Sequence, residues 1–138
     1  MKIYFAGSIR GGRDDQKFYL AIIELLRQYG EVLTEHIGDP TLNEKGEDSL
    51  SDKEIHDRDL ACLKAADVLV AEVTTPSLGV GYEIGKATEW KMPVFCLYRP
   101  VEGRHLSGMV AGCDVVKICE YQTGDELKKA LDEFFLER

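Results

Sequence analysis

The chain has 138 residues, which fits one domain, and its 44% hydrophobic and 30% charged residues are typical of a globular protein. Its net charge of -8 argues against binding of a long nucleic acid, because no basic surface is available to replace the counterions of the phosphates. A single small phosphate could still be bound by a few local donors. No apolar segment is long enough to predict a membrane span.

Four cysteines occur without a Cys-x-x-Cys pair and without a histidine at zinc spacing, so we expect neither a metal site nor another cofactor. Cysteines in this pattern favour free thiols in a reducing compartment. The apolar run after Met1 ends at Gly7 and is too short for a signal peptide. These observations predict a cytoplasmic protein.

Strand-like and helix-like patterns alternate along the whole chain. Apolar runs rich in β-branched residues predict five strands, and apolar side chains at helical spacing predict the helices between them. Capping boxes at Ser51 and Thr123 mark the starts of two helices. The alternation predicts one doubly wound, Rossmann-like or flavodoxin-like α/β domain over residues 1–138, with a five-stranded parallel sheet in the order 2-1-3-4-5. The predicted strands are residues 3–6, 31–34, 67–73, 93–97 and 115–118.

The first predicted strand runs into a glycine-rich polar turn at residues 7–12. Ser8 offers a hydroxyl, Arg10 offers a planar guanidinium, and the backbone of the turn offers several N–H groups, a set that suits a phosphate. The turn matches neither the Walker A pattern nor G-x-G-x-x-G. A flexible turn with a solvated arginine therefore remains an equal alternative.

The short second strand precedes a polar excursion of the chain, residues 35–51. A loop of this length in a compact domain is often a lid or a binding loop. His36 opens it at the carboxyl end of a strand and is a possible ligand contact, although a lone histidine is more often a structural hydrogen-bonding residue.

The helix predicted from residue 52 to about residue 65 carries an acid on its apolar side. At 100° per residue, Ile55 and Leu63 share one face, and Asp59 lies in the middle of it, whereas Arg58 points toward solvent. An inward-facing carboxylate is costly unless it is paired, protonated or in a pocket. Asp59 is therefore a candidate site acid, with a buried ion pair as the alternative.

Residues 75–85 turn the chain from the third strand into the next helix. Gly79 and Gly81 would permit a positive φ or the close approach of a ligand. Glu83 would then lie in the first helical turn, where free N–H groups and the macrodipole favour an ionised carboxylate. In the predicted sheet the first and third strands are neighbours, so this turn would face residues 7–10 across one crevice. A plain glycine-rich turn with a dipole-favoured glutamate is the alternative.

The predicted crevice combines Glu83, Asp59 and Tyr4 with the donors suited to a phosphate. Two carboxyl groups in unlike environments are what glycosyl transfer requires, since one must be ionised and the other must protonate the leaving group. No Ser-His-Asp arrangement has a recognisable spacing. Hydrolysis at a sugar carbon is the reaction that these residues favour.

Several segments of the chain resemble one known family. Residues 4–13, 32–36, 66–73 and 76–85 closely resemble the nucleoside 2-deoxyribosyltransferase superfamily, and within it the 2'-deoxynucleoside 5'-phosphate N-hydrolases. The resemblance continues through residues 99–107, and thus covers most of the chain. It implies hydrolysis of the N-glycosidic bond of a deoxynucleoside 5'-monophosphate, a small-molecule substrate, by a homodimer.

The resemblance also implies roles for individual residues. Glu83 would be the nucleophile of a covalent deoxyribosyl intermediate, Asp59 would protonate the departing base and then assist water, and Tyr4 would position the Glu83 carboxylate. Ser107 would reach the phosphate from the second subunit. The other residues implied in substrate binding are Gly7, Ser8, Ile9, Arg10, Gly11, Ser77 and Gly79.

Three alternatives to nucleotide hydrolysis remain open. A base-exchanging transferase shares the scaffold, but the resemblance suggests that transferases carry an acid near the position of Ser77, where a hydroxyl suits a phosphate better. A phosphoribohydrolase of ribonucleotides usually shows a Pro-Gly-Gly-x-Gly-Thr run, which this chain lacks. A module that binds deoxynucleotides without catalysis is the third alternative.

Overall fold

The computed structural model describes residues 1–8, 15–34 and 50–137. Most of the excursion at residues 35–51 lies outside these ranges. So do four residues for which ligand contacts are expected, namely Ile9, Arg10, Gly11 and His36.

Five parallel strands form one sheet in the order β2-β1-β3-β4-β5, which confirms the predicted topology. No helix of the described residues is both long and apolar enough to cross a bilayer. The elements in chain order are β1 Lys2–Ala6, α1 Gln16–Leu26, β2 Glu31–Val32, α2 Asp52–Ala65, β3 Val68–Glu72, α3 Leu78–Glu89, β4 Val94–Tyr98, α4 Gly108–Ala111, β5 Val116–Glu120 and α5 Gly124–Leu136.

Alternation along β1 sends neighbouring side chains into two different core layers. Ile3 and Phe5 pack in the layer that contains the buried residues of α1 and α5. Tyr4 and Ala6 pack in the opposite layer, with the buried residues of α2 and α3. Since β1 pairs with β3 in the middle of the sheet, Tyr4 is directed toward the two helices that carry the candidate acids.

The second strand is shorter than predicted and ends at Val32. The Leu33 N–H still donates to the Ile3 carbonyl at 2.9 Å. At Thr34 the side chain replaces the backbone: its Oγ1 accepts from the Phe5 N–H at 2.8 Å and donates to the Phe5 carbonyl. The buried hydroxyl thus satisfies the β1 groups that a longer β2 would have paired.

Both predicted helix caps are present, with one difference. Ser51 Oγ accepts from the Glu54 N–H at 3.1 Å and Glu54 Oε1 accepts from the Ser51 N–H at 3.2 Å, which is a complete capping box. Thr123 also caps its helix, but the carboxylate of Glu126 accepts from the N–H of Gln122, one residue before the cap. The first box fixes the start of α2 and thereby the position of Asp59 on it.

Gly30 lies between α1 and β2 in close contact with the first residue of the chain. A Cβ at this position would lie 2.3 Å from the Met1 carbonyl oxygen, which accepts from the Glu31 N–H. We expect Gly30→Ala to lower the free energy of unfolding by about 1–3 kcal/mol, because Met1 must move and that bond weakens. Urea unfolding measures the change.

Gly124→Ala is the matched control for this substitution. No atom lies within 4 Å of a Cβ added at Gly124, so its free energy of unfolding should stay within about 0.5 kcal/mol of the wild type. Equal stability of the two variants would show that the close contact with Met1 does not disfavour an alanine at position 30.

Candidate active site

The centre of the site is a hydrogen bond between a strand and a helix. The Tyr4 hydroxyl, on β1, donates to the Glu83 carboxylate, on α3. Tyr4 is buried, and its pKa is raised by burial and then by the charge of Glu83. The phenol therefore keeps its proton and acts as a donor to the carboxylate. The structure places together two residues that lie 79 positions apart in the chain.

Glu83 lies in the second turn of α3, and not in the first turn as predicted. The helix begins at Leu78, its cap is Ser77, and its first turn contains no acid. Burial raises the pKa of Glu83 to about 7, the Tyr4 hydrogen bond lowers it, and the charge of Asp59 raises it. The prediction that the first helical turn stabilises this carboxylate is therefore wrong, because Glu83 lies beyond that turn and burial raises its pKa.

Asp59 lies on α2, close enough to the pair for its negative charge to raise the pKa of both Tyr4 and Glu83. Its side chain is 22% exposed, and its Oδ1 accepts from Arg58 Nε at 2.9 Å. The prediction that Arg58 points away into solvent is wrong, since its long side chain bends back to the acid. The helical register gives the direction of a Cβ atom and not the reach of a guanidinium, so no signal in the pattern identified this contact.

The first turn of α3 is open beside its two glycines. Ser77 Oγ accepts from the Val80 N–H at 3.3 Å and so caps the helix. A Cβ at Gly79 would meet only that Oγ, at 3.8 Å, and one at Gly81 would meet nothing within 4 Å. Among the described glycines only Gly103 has a positive φ, so the positive φ considered for Gly79 and Gly81 is wrong. Both residues are helical and leave space next to the cap.

Ser8 and Gly7 pack against the ring of Tyr19. The Ser8 N–H donates to the Tyr19 hydroxyl at 3.0 Å, and Ser8 is buried. A Cβ at Gly7 would lie 2.9 Å from the Tyr19 ring, so glycine is required there by close packing. The expectation that the backbone N–H groups of this turn are available to a ligand is therefore wrong for Ser8. Tyr19, which the sequence analysis did not single out, holds the end of β1 in place.

Ser107 caps α4 and lies on the rim of a large apolar cavity. Its Oγ accepts from the Met109 N–H at 3.2 Å. The cavity, about 850 Å³ in volume, lies between α3 and α4, and both Ser77 and Ser107 line it. Tyr4, Asp59 and Glu83 are not among its lining residues. We call this feature the α3–α4 groove, and Leu78 and Met109 on its walls are 97% and 88% exposed.

The structure thus brings Tyr4, Asp59 and Glu83 into one place, and it puts Ser77 at the start of the helix that carries Glu83. Within the described residues, no three His, Cys, Asp or Glu side chains are grouped so as to hold a metal ion. Two neighbouring carboxyl groups, one of them oriented by a phenol, are suited to attack a sugar carbon and to protonate a leaving group.

Comparison with known proteins finds similar sequences along nearly the whole chain. The sequence model of the nucleoside 2-deoxyribosyltransferase family matches residues 3–128. A protein of Danio rerio named 5-hydroxymethyl-dUMP N-hydrolase is 50% identical over 98% of this chain and 96% of its own length. A protein of Trichoplax adhaerens named putative 2'-deoxynucleoside 5'-phosphate N-hydrolase 1 is 54% identical over 99% of this chain and 94% of its own length.

A human protein, also named 5-hydroxymethyl-dUMP N-hydrolase, is 46% identical over 96% of this chain and 78% of its own length. Among solved structures, a CMP N-glycosidase of Clostridium botulinum superposes with a TM-score of 0.68 over 97% of this chain and 99% of that chain. Its sequence identity is 19%, so this likeness supports the fold alone. The match over residues 3–128 and the relatives that align along nearly the whole chain show that this protein belongs to the nucleoside 2-deoxyribosyltransferase family.

Proposed function

We propose that this protein hydrolyses the N-glycosidic bond of 2'-deoxynucleoside 5'-monophosphates to the free base and 2-deoxyribose 5-phosphate. The observation that carries the proposal is the half-buried Glu83 carboxyl, which accepts the Tyr4 hydrogen bond beside the charge of Asp59. Relatives named as N-hydrolases of deoxynucleotides align with nearly the whole chain, which supports the same activity here. The protein is accordingly a glycosidase, for which we expect no cofactor.

The reaction proceeds in two displacements at C1' of the deoxyribose. In the first, a Glu83 oxygen bonds to C1' while the C1'–N bond breaks, its electron pair leaves with the base, and the acid form of Asp59 protonates the base. In the second, Asp59 takes a proton from water, the water oxygen bonds to C1', and the ester electron pair returns to Glu83. A sugar without a 2'-hydroxyl reaches an oxocarbenium-like state easily, which suits so small a set of groups.

Tyr4 prepares the nucleophile. By donating to one oxygen of Glu83 it fixes the plane of the carboxylate and leaves the other oxygen to attack. The same bond lowers the pKa of Glu83 and so increases the ionised fraction at neutral pH. Burial in turn makes the ionised carboxylate more reactive, since it lacks a full hydration shell.

The 5'-phosphate lies at the first turn of α3 in this proposal. Ser77 is the cap of a helix whose N-terminal N–H groups favour an anion, and Gly79 leaves room beside it. A hydroxyl at this position suits the phosphate, whereas a carboxylate would repel it. Ser8 and the predicted donor Arg10 complete the phosphate site on the side of β1.

A second copy of the chain covers the α3–α4 groove in this proposal. Its walls are apolar and carry exposed Leu78, Tyr82 and Met109, which a monomer would leave in water. Ser107 lies on the same surface, so a partner seated there would bring its own Ser107 toward the phosphate site of the first subunit. The described cysteines are all free thiols, which fits the cytoplasmic location expected for such an enzyme.

Replacing the nucleophile tests the activity. We expect the wild-type protein to release base from at least one deoxynucleoside monophosphate, and Glu83→Ala to lower kcat at least about a thousandfold while nucleotide binding persists. Chromatography of reaction mixtures with deoxy- and ribonucleoside monophosphates measures the released base. Glu89→Ala, an exposed acid at the end of α3, is the control and should keep full activity.

The same chromatography distinguishes the rival reactions. A new deoxynucleotide formed in the presence of a foreign free base would show a transferase, and faster cleavage of AMP than of dAMP would show a ribonucleotide hydrolase. Full base release by Glu83→Ala would remove this residue from the mechanism.

The pH dependence of kcat/KM reports the ionisation of Glu83. Wild-type activity should fall as pH drops through about 7, because only the ionised carboxylate attacks. Tyr4→Phe removes the bond that lowers the pKa of Glu83, so the fall in activity on the acid side, the acid limb of the profile, should move to higher pH. Asp59→Asn removes a charge that raises the pKa, so the limb of its residual activity should move to lower pH.

Initial rates between about pH 5 and pH 9 measure these limbs. The substrate phosphate titrates near pH 6 in every case, so the differences between variants belong to the protein. Shifts of both variants in the same direction would contradict the assigned roles of Tyr4 and Asp59.

Charge placed in the α3–α4 groove tests the dimer. Met109→Glu should give a monomer in analytical ultracentrifugation, because an unpaired carboxylate would be buried between the subunits. Leu136→Glu is the matched control, since Leu136 is an exposed leucine that does not line the groove. A dimeric Met109→Glu protein would show that the two copies meet elsewhere.

Mixing two inactive variants tests the contribution of Ser107. A heterodimer of Glu83→Ala and Ser107→Ala subunits contains one complete site if each subunit lends its serine to the other. Activity should then recover when the subunits exchange. No recovery, with heterodimers present, would show that Ser107 serves its own subunit.

A further inference from the structure

A buried polar cluster lies at the carboxyl ends of β3 and β4 and takes no part in the reaction described above. Its carboxylate is Glu72, which is 2% exposed, accepts from the Thr74 N–H at 2.6 Å, and also accepts from the Tyr121 hydroxyl. Its cation is Arg99, whose side chain is 16% exposed. Burying such charges costs desolvation free energy, which other interactions or a functional role must offset.

Arg99 is held from several sides. Its guanidinium lies 3.8 Å from the centroid of the Phe18 ring, and Nη2 lies 3.4 Å from an oxygen of Asp15. Its backbone N–H donates to Thr74 Oγ1 at 2.9 Å. Nη1 of Arg99 is the buried side-chain polar atom that has no hydrogen-bond partner among the described residues. The cation is thus fixed by stacking and by charge rather than by a full set of hydrogen bonds.

Asp15 connects this cation to the turn before α3. It occupies the cap position of α1, yet its side chain makes no cap hydrogen bond. Instead one oxygen accepts from the Thr75 hydroxyl and the other faces Arg99. A carboxylate at a helix start normally caps its own helix. The Asp15 carboxylate instead contacts residues that are distant in the sequence. Thr75 lies two residues before Ser77.

The same cluster reaches the end of β1 through Tyr19. Burial and the charge of Asp15 raise the pKa of Tyr19, and the charge of Arg99 lowers it, so the three groups lie within electrostatic reach of each other. The Tyr19 hydroxyl accepts from the Ser8 N–H. Ser8 and Ser77, the hydroxyls assigned to the phosphate from either side of the crevice, therefore both rest on segments bound to this cluster.

We infer that Arg99 is a positioning residue for the 5'-phosphate: through its contacts with Asp15 and Thr74 it holds the Ser8 segment and the Thr74–Ser77 segment at the separation that a phosphate requires. It acts through these segments, since its Nη2 faces Asp15 and its guanidinium stacks on the Phe18 ring. The inference rests on the proposed function, because it concerns the phosphate of the same substrate.

A lysine cannot reproduce this arrangement. Its ammonium is a compact charge that neither stacks on Phe18 as a planar group nor faces Asp15 with a second nitrogen. Arg99→Lys should therefore loosen the spacing of the two segments but keep the positive charge. Arg99→Met should loosen the spacing and also remove the charge. The chemistry at Glu83 belongs to the opposite face of the sheet and should be largely unaffected.

The test compares a ligand that has the phosphate with one that lacks it. For Arg99→Lys we expect KM for the deoxynucleotide and Kd for 2-deoxyribose 5-phosphate to rise at least tenfold, with a larger rise for Arg99→Met. Both kcat and Kd for the matching deoxynucleoside should stay within threefold of the wild type. Calorimetry and initial rates measure these constants, and Arg27→Lys, on the surface of the protein, is the control and should change none of them.

Equal losses for both ligands, or no change for either, would overturn the inference, because a merely structural role would not single out the phosphate. If Arg99→Lys fails to fold, Asp15→Asn tests the same cluster with an isosteric side chain and should show the same selective loss. A wild type that binds 2-deoxyribose 5-phosphate but releases no base would refute the proposed function while still allowing the role of Arg99 to be measured.

Discussion

The hydrogen bond between Tyr4 and Glu83 is the contact on which the site depends. It forms because β1 and β3 are adjacent, because alternation turns Tyr4 toward α2 and α3, and because α3 starts directly beyond the end of β3. Each of these conditions is a property of the sheet as a whole. A strand slipped by one residue would turn Tyr4 to the opposite layer and leave Glu83 buried without a donor.

The two acids differ in their hydrogen-bond partners. Glu83 is half-buried and has a phenol as its donor. Asp59 is partly exposed and is paired with Arg58, so water and a departing base can both reach it. Two carboxyl groups of one chemical type thus acquire different properties from their neighbours, a phenol for Glu83 and a guanidinium for Asp59.

Much of the fold could be predicted from the sequence, because the strand and helix periods and the cap at Ser51 are local signals. The proximity of Asp59 to Glu83 could also be predicted, since an acid on an apolar stripe and an acid after a glycine-rich turn are both unusual. The prediction that Glu83 lies in the first turn of α3 is wrong, because the Ser77 hydroxyl caps the helix and the helix already begins at Leu78. The contacts of Tyr19 with Ser8, and of Arg58 with Asp59, depend on distances that no local pattern contains.

The raised pKa of Glu83 has an effect on the empty protein as well. Near pH 7 about half of the molecules carry a proton on this carboxyl. Any ligand that prefers one form must then exchange a fraction of a proton with the buffer when it binds, even if the ligand itself does not titrate. Glu83 thereby couples the binding of such a ligand to the acidity of the surrounding solution.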